Sequence, residues 1–182
     1  YTMTLTVTDN AGNVNSDTFT LTWDTTAPTV NAGSDELRNA LFSSTSGRVT
    51  PANAPGAVTY AWSVDSGPGI VTFSTSNALT TDISANTDGI YVIRLTITDA
   101  AGNSAYDTFI LTWDTTAPIV NAGSDELRKA VFSSTGADRA VPASATAVAF
   151  AWTVDSGPGI VTFSAPNALA TDISANTDGT YV

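Results

Sequence analysis

The sequence predicts an all-β protein built as tandem seven-stranded β-sandwiches. Three observations predict it. First, the phrase Trp23-Asp24-Thr25-Thr26-Ala27-Pro28 returns as Trp113-Asp114-Thr115-Thr116-Ala117-Pro118, 90 residues on. The segments starting at Val64 and Thr81 return at Val154 and Thr171 with the same offset. A fixed period marks a repeated structural unit. Second, apolar and polar residues alternate along most segments, with Thr, Val, Ile and aromatics enriched, which is the pattern of half-buried strands. Third, turn-forming residues punctuate these runs every 8–12 residues or so, as in sandwiches.

The period divides the chain into three parts. Residues 1–26 are the last strands of a preceding unit, 27–116 a complete unit, and 117–182 the front of a following one. The first residues already alternate (Tyr1, Met3, Leu5 and Val7 against threonines). Domain ends usually lie in exposed linkers rather than in strands. The expectation is a window of a longer periodic array, its partial units completed by neighbouring repeats or by an adjacent copy.

Within the complete unit, Ala27 to Arg38 reads as a first strand, with Pro28 suited to an edge. Residues 40–43 form a second. Residues 46–57 are a loop rich in Pro, Gly and Asn. Val58, Tyr60, Trp62 and Val64 give a third strand a large inward face. Asp65 to Gly69 is a turn. Residues 70–73 and 79–83 are the fourth and fifth strands, and Asn86 to Gly89 turns the chain. Tyr91, Ile93, Leu95 and Ile97 share the inner face of the sixth. Asp99 to Asn103 is a loop, and Phe109, Leu111 and Trp113 line the seventh. Trp62, Tyr60, Phe73, Ile83, Leu95, Ile97, Phe109 and Leu111 are the expected core, each worth roughly 1.5–3 kcal/mol when buried. Trp23 and Trp113 either close their own core or pack on the next unit.

Composition narrows the function. Acids number 17 and bases 6, a net charge of −11, which disfavours nucleic acid and anionic membranes as partners. There is no Cys and no His, so thiol or imidazole catalysis has no residue to use. Lys129 is the one lysine, and its counterpart is Asn39, so a repeated Lys–Asn cross-link is not expected. No apolar run is long enough to span a membrane as a helix. Asp35 and Glu36 are adjacent on a strand and point to opposite faces, a poor pair for acid–base work. No catalytic site is expected.

Metal binding is the sharper possibility. The strand directions bring Asp24 of the joint toward the loop holding Asp99 and Asn103. Asp9 and Asn13 are the same loop one unit earlier, and Asp114 is the same joint one unit later. Hard oxygen ligands without His or Cys favour Ca²⁺. The alternative is plain turn chemistry, since Asp and Asn bond their own backbone in loops and side chains alone fall short of the 6–8 oxygens calcium takes.

Three stretches resemble a known family: Val30 to Asp35, Tyr60 to Gly69, and Ile93 to Asn103. They are similar to PKD-like domains of bacterial surface proteins. The Asp99 to Asn103 loop with the Asp-Thr-Thr-Ala-Pro joint is also similar to bacterial Ig-like repeats of large adhesins. The resemblance implies an Ig-like sandwich, secretion to the cell surface, and a role in spacing, adhesion or filament building. Trp62-Ser63-Val64-Asp65 departs from the Trp-Asp-Phe-Gly of many PKD domains. A structural spacer is the leading expectation. The alternative is a carbohydrate- or protein-binding module using loop 46–57 and an outer sheet face, where Tyr106 (Ser16 in the preceding copy) is the candidate aromatic. The two copies differ most at residues 46–56 and 136–146, read as loop drift or as a variable contact surface. Thr2, Thr4, Thr6, Thr8, Thr18, Thr20 and Thr22 on an outward face reflect β-propensity.

Overall fold

The computed structural model describes residues 1–44, 56–134 and 149–182. The described residues contain strands, turns and bends only. They form two compact units, Tyr1–Thr116 and Ala117–Val182.

In the first unit, β1 (Thr2–Thr8) and β2 (Val14–Thr20) make an antiparallel two-stranded hairpin. The complete repeat follows with β3 (Glu36–Arg38), β4 (Phe42–Ser43), β5 (Thr59–Ser66), β6 (Val71–Phe73), β7 (Asp82–Ala85), β8 (Gly89–Thr98) and β9 (Ser104–Trp113). These lie in two sheets, ordered β3-β9-β8-β5 and β4-β7-β6. All pairings are antiparallel except β3 with β9, which is parallel. Those directions agree with the alternating sense inferred from the sequence.

One core joins the two sheets. Phe42 and Ile83 enter from the smaller sheet, and Trp62, Tyr91, Ile93, Leu95, Ile97, Phe109, Leu111 and Trp113 from the larger. Alternation explains the set, because every second residue of β8 faces inward and Tyr91, Ile93, Leu95 and Ile97 are fully buried. Trp62 stacks on Phe73 and meets Phe109 edge-on, with both centroid distances 6.4 Å. Its indole N–H donates to the Ala78 carbonyl, so the ring is buried without leaving a donor unpaired. Tyr60 and Phe73 are only partly buried, at the margin of this core. Val64 is more exposed than its alternation implies, and the β5–β8 ladder bulges between Val64 and Ser66.

The first and fifth expected strands shift furthest, and the second shortens from 40–43 to Phe42–Ser43. The first was expected from Ala27, but only Glu36–Arg38 is laddered. Pro28 has no N–H to give, and Asn31 folds back to accept from the Gly33 N–H. Side-chain bonds between this segment and β9 take over part of the missing ladder. Asp107 Oδ2 accepts from the Ala32 N–H at 2.9 Å, and Asp35 Oδ1 from the Ile110 N–H at 2.8 Å. The fifth strand starts at Asp82 rather than Leu79, because Thr81 is used for cross-bracing. Thr81 N–H donates to Ser44 Oγ, Ser44 N–H to the Thr81 carbonyl, and Thr75 N–H to Thr81 Oγ1. Ser44 and Thr81 are buried, and the Ser44 N–H and both Thr81 backbone groups are thereby satisfied.

The second unit repeats the smaller sheet as β10 (Phe132–Ser133), β11 (Val161–Phe163) and β12 (Asp172–Ala175), ordered β10-β12-β11. Trp152 stacks on Phe163 at 6.3 Å, and Thr171 with Ser134 reproduces the buried brace. Loop 46–57 and its counterpart 136–146 lie almost wholly outside the described residues.

Candidate functional site at the repeat joint

The joint phrase meets the complete repeat at both of the repeat's ends. At the entry, the loop Asp99–Asn103 connects β8 to β9. Asp99 is buried, and Oδ1 accepts from the Ala101 and Asn103 N–H groups, both at 2.9 Å. Its Oδ2 accepts from the Asn103 side-chain amide at 3.0 Å. Gly102, at φ 91°, supplies the left-handed backbone that the loop needs. The Asn103 amide also donates to the backbone carbonyl of Asp24 at 3.2 Å, which ties the incoming joint to the loop.

Asp24 Oδ1 accepts from the Thr26 N–H. Asp24 Oδ2 is buried and has no hydrogen-bond partner among the described residues. A buried carboxylate oxygen without a donor is costly, so this atom asks for an explanation.

Burial works to raise the Asp99 pKa, but the Asn103 side chain and the loop N–H groups outweigh it and hold the carboxyl below the usual carboxylate value. Asp9 is lowered in the same direction, first by the Asn13 side chain and then by the loop backbone. The Asp9–Asn13 loop reproduces the arrangement bond for bond, with Oδ1 taking the Ala11 and Asn13 N–H groups and Oδ2 the Asn13 amide at 2.7 Å. It does so in the hairpin, where Asp9 is exposed. Both loops are therefore held by local hydrogen bonds, which is what turn chemistry alone requires.

At the exit, the joint is held by a residue that sequence reasoning did not single out. Asp88 sits in the turn before β8. Its Oδ1 accepts from the Thr115 N–H at 2.9 Å and the Thr115 hydroxyl at 2.8 Å, and its Oδ2 from the Thr116 hydroxyl at 2.7 Å. The Thr116 hydroxyl bond leads the effects that lower the Asp88 pKa. Asp114 Oδ1 accepts from the Thr116 N–H, and Asp114 N–H donates to the Arg38 carbonyl. The signal for Asp88 was present, since Asp88-Gly89 returns as Asp178-Gly179, but a turn carboxylate does not announce its distant donors.

The structure thus brings Asp24, Asp99 and Asn103 together. Asp114 lies at the other end of the repeat beside the Asp88 clamp, and Asp9 with Asn13 lies in the hairpin. No group of three or more His, Cys, Asp or Glu side chains arranged to hold a metal occurs among the described residues. On the outer face of the larger sheet, the Arg94 guanidinium lies 3.9 Å from the Tyr106 ring centroid and donates to Asp65 Oδ2 at 2.6 Å and 3.0 Å. Tyr106 is 60% exposed.

Residues 46–112 match the family model described as K319L-like, PKD domain. The central repeat is thus similar to a PKD domain over most of its length. Its Ig-like β-sandwich is the architecture that the resemblance implied. No curated protein matches the chain. The PKD-like repeat carries its joint contacts on Asn103 at one end and Asp88 at the other. No helix among the described residues is long and apolar enough to cross a membrane.

Proposed function

We propose that the chain is a spacer segment of a secreted tandem array, in which PKD-like sandwiches joined by Asp-Thr-Thr-Ala-Pro hold a bacterial surface filament or adhesin stalk extended. The double grip on the joint carries this reading. Asn103 takes the carbonyl of Asp24 before the repeat, and Asp88 takes Thr115 and Thr116 after it. Because joint and clamps share one 90-residue period, every joint in such an array would be held from both sides. Pro28 and Pro118 add stiffness by fixing φ. PKD-like domains are typically non-catalytic extracellular modules, which fits this role. Small-angle scattering on chains of one, two and three repeats tests it. The maximum dimension should grow by about 33 Å per repeat, the length of a ten-residue strand. A dimension that fails to grow with repeat number would overturn it.

Calcium at the joint is a second part of this reading, supported by the buried Asp24 Oδ2. Asp24 and Asp99 would supply carboxylate oxygens and Asn103 its amide oxygen, with backbone carbonyls completing a hard-oxygen site. The cation would relieve the unpartnered oxygen and stiffen the entry side.

A binding-module role is favoured by a different observation, the exposed Tyr106 ring with Arg94 against it. Aromatic faces flanked by polar groups suit sugars or a protein partner. Screening the 27–116 repeat on a glycan array tests it, and loss of any signal in Tyr106→Ala would place the contact.

A further inference from the structure

The two faces of the larger sheet differ in how they vary between copies. The inward Tyr91, Leu95, Phe109, Leu111 and Trp113 stand where the copy 90 residues earlier has the same five residue types. The outward Val92, Arg94, Tyr106 and Ile110 stand where it has Thr2, Thr4, Ser16 and Thr20. A shared core explains the constancy, since strand residues alternate between faces and only one face is packed. It does not explain an outer face on which an arginine, an aromatic and two aliphatic side chains take the places of threonine and serine.

Arg94 and Tyr106 form one structure on that face. The Arg94 guanidinium lies over the Tyr106 ring, 3.9 Å from its centroid, and Nε and Nη2 tie it to Asp65 Oδ2 at 3.0 Å and 2.6 Å. The Arg94 side chain is 33% exposed and Tyr106 60%. The ring thus stays largely open to solvent while the guanidinium supports it, a cation–π contact that fixes its position. Among the described residues nothing bonds Asp65 Oδ1 or Arg94 Nη1, which leaves an acceptor and a donor beside the ring. Hydroxyls surround it. The register sets Thr96 opposite Tyr106, Thr108 opposite Arg94 and Ser104 opposite Thr98, with Ser63 on the far side of Arg94. Arg94 and Asp65 are the only charged side chains on the outward face of β5, β8 and β9, in a chain of net charge −11.

We infer that this face is a stacking platform for a neutral polysaccharide, a proposal that rests on the binding-module reading and names its ligand class. One pyranose lies with its C–H face on Tyr106, and two neighbouring hydroxyls of that sugar bond Asp65 Oδ1 and Arg94 Nη1. Each hydroxyl both donates and accepts, so one such pair satisfies both groups. The Ser and Thr hydroxyls along β8, β9 and β5 take the adjoining sugars. Charge selects the class. The one ion pair on the face is already balanced, and the net −11 of the chain repels carboxylated or sulfated glycans. A ring already held by Arg94 costs little to order on binding. The copy with Thr4 and Ser16 lacks the platform, so the site belongs to this repeat and not to every unit of the period. A protein partner would instead use the aliphatic end of the face, where Ile110 lies opposite Val92 and Ile90 is exposed.

Native electrophoresis of the full chain tests this, in gels cast with a soluble β-glucan, which is neutral, or with polygalacturonate, which is carboxylated. The net charge of −11 drives migration, and binding slows it. The wild-type chain should be retarded by the β-glucan and not by polygalacturonate. Arg94→Thr combined with Tyr106→Ser should weaken the apparent affinity at least about tenfold, as loss of an anchoring contact does. Those residues already sit in a paired ladder, with Thr4 opposite Thr18 and Ser16 opposite Thr6, so the variant should keep its strands, read by circular dichroism. Tyr106→Phe keeps the ring and should bind as the wild type does, and so should Ile110→Thr at the aliphatic end. Retardation by polygalacturonate alone would overturn the neutral class and keep a binding module. Glucan binding unchanged in the double variant, or lost in Ile110→Thr alone, would put the contact elsewhere and overturn the platform. Absence of retardation in both gels would overturn the inference, and the binding-module reading falls with it only if the glycan array is silent too.

Discussion

Asp88, Asp99 and Asp9 each gather several donors onto one carboxylate, and all three are held below the ordinary carboxylate value. A depressed folded pKa means that folding favours the ionised form. The stability these groups contribute is present above the unfolded value, about 3.9, and is lost as pH falls through the lower folded values. Thermal unfolding of the chain should therefore be nearly flat above about pH 5 and fall below about pH 4. Asp88→Asn and Asp99→Asn should each lower the midpoint at neutral pH and flatten part of that acid fall. Unchanged acid dependence in both would show that other carboxylates control it. Asp88→Ala should also release Thr115 and Thr116, making the segment before Pro118 faster to cleave by protease. Gly67 offers a steric test. A Cβ added there would lie 2.0 Å from Tyr91 Cδ1, inside the fully buried Tyr91 ring. Gly67→Ala should cost about 1–3 kcal/mol, the usual range for overpacking, read as a lower denaturant midpoint.

Strands show most plainly how a sequence maps to burial and where that mapping stops. Period-two alternation made β8 and β9 legible in full, because both faces of a long central strand have fixed neighbours. The first strand was overextended, since alternation from Ala27 to Arg38 does not reveal that Asp107 and Asp35 side chains replace ladder bonds. The same limit hid Asp88, whose donors lie 27 and 28 residues away. The loop 99–103 was legible as a turn because Asp and Asn act locally there. Its contact with Asp24 spans 79 residues, and the strand directions pointed to it. Repetition offers a control that few proteins allow. Leu95 is fully buried and Leu5 is 68% exposed, although the two lie in matching sequence. Leu95→Ala should cost about 2–5 kcal/mol. Leu5→Ala should stay within about 0.5 kcal/mol, as exposed sites do. Equal costs would mean that β1 is packed as β8 is.

At the scale of the whole molecule, the proposed array raises the question of what would hold its sandwiches extended. The charge of −11 keeps such a chain soluble but makes its acids repel one another. The joint gathers part of that charge, with the Asn103 amide bonded to both the Asp24 carbonyl and the Asp99 carboxylate at one end of the repeat. Hydrogen bonds already satisfy Asp99, and Asp24 Oδ2 is the atom left over. If calcium serves the joint, its effect falls on Asp24 and on the entry side of the repeat. Chelation should then lower the unfolding midpoint of the wild-type chain, and Asp24→Asn should remove that difference while leaving the Asp99 loop intact. Calcium should act where magnesium does not, because calcium accepts a larger and more irregular oxygen set. A chelator effect that survives Asp24→Asn would place the cation elsewhere. Identical midpoints with and without chelator would leave the joint to its hydrogen bonds, with Asn103 and Asp88 as their main side-chain anchors.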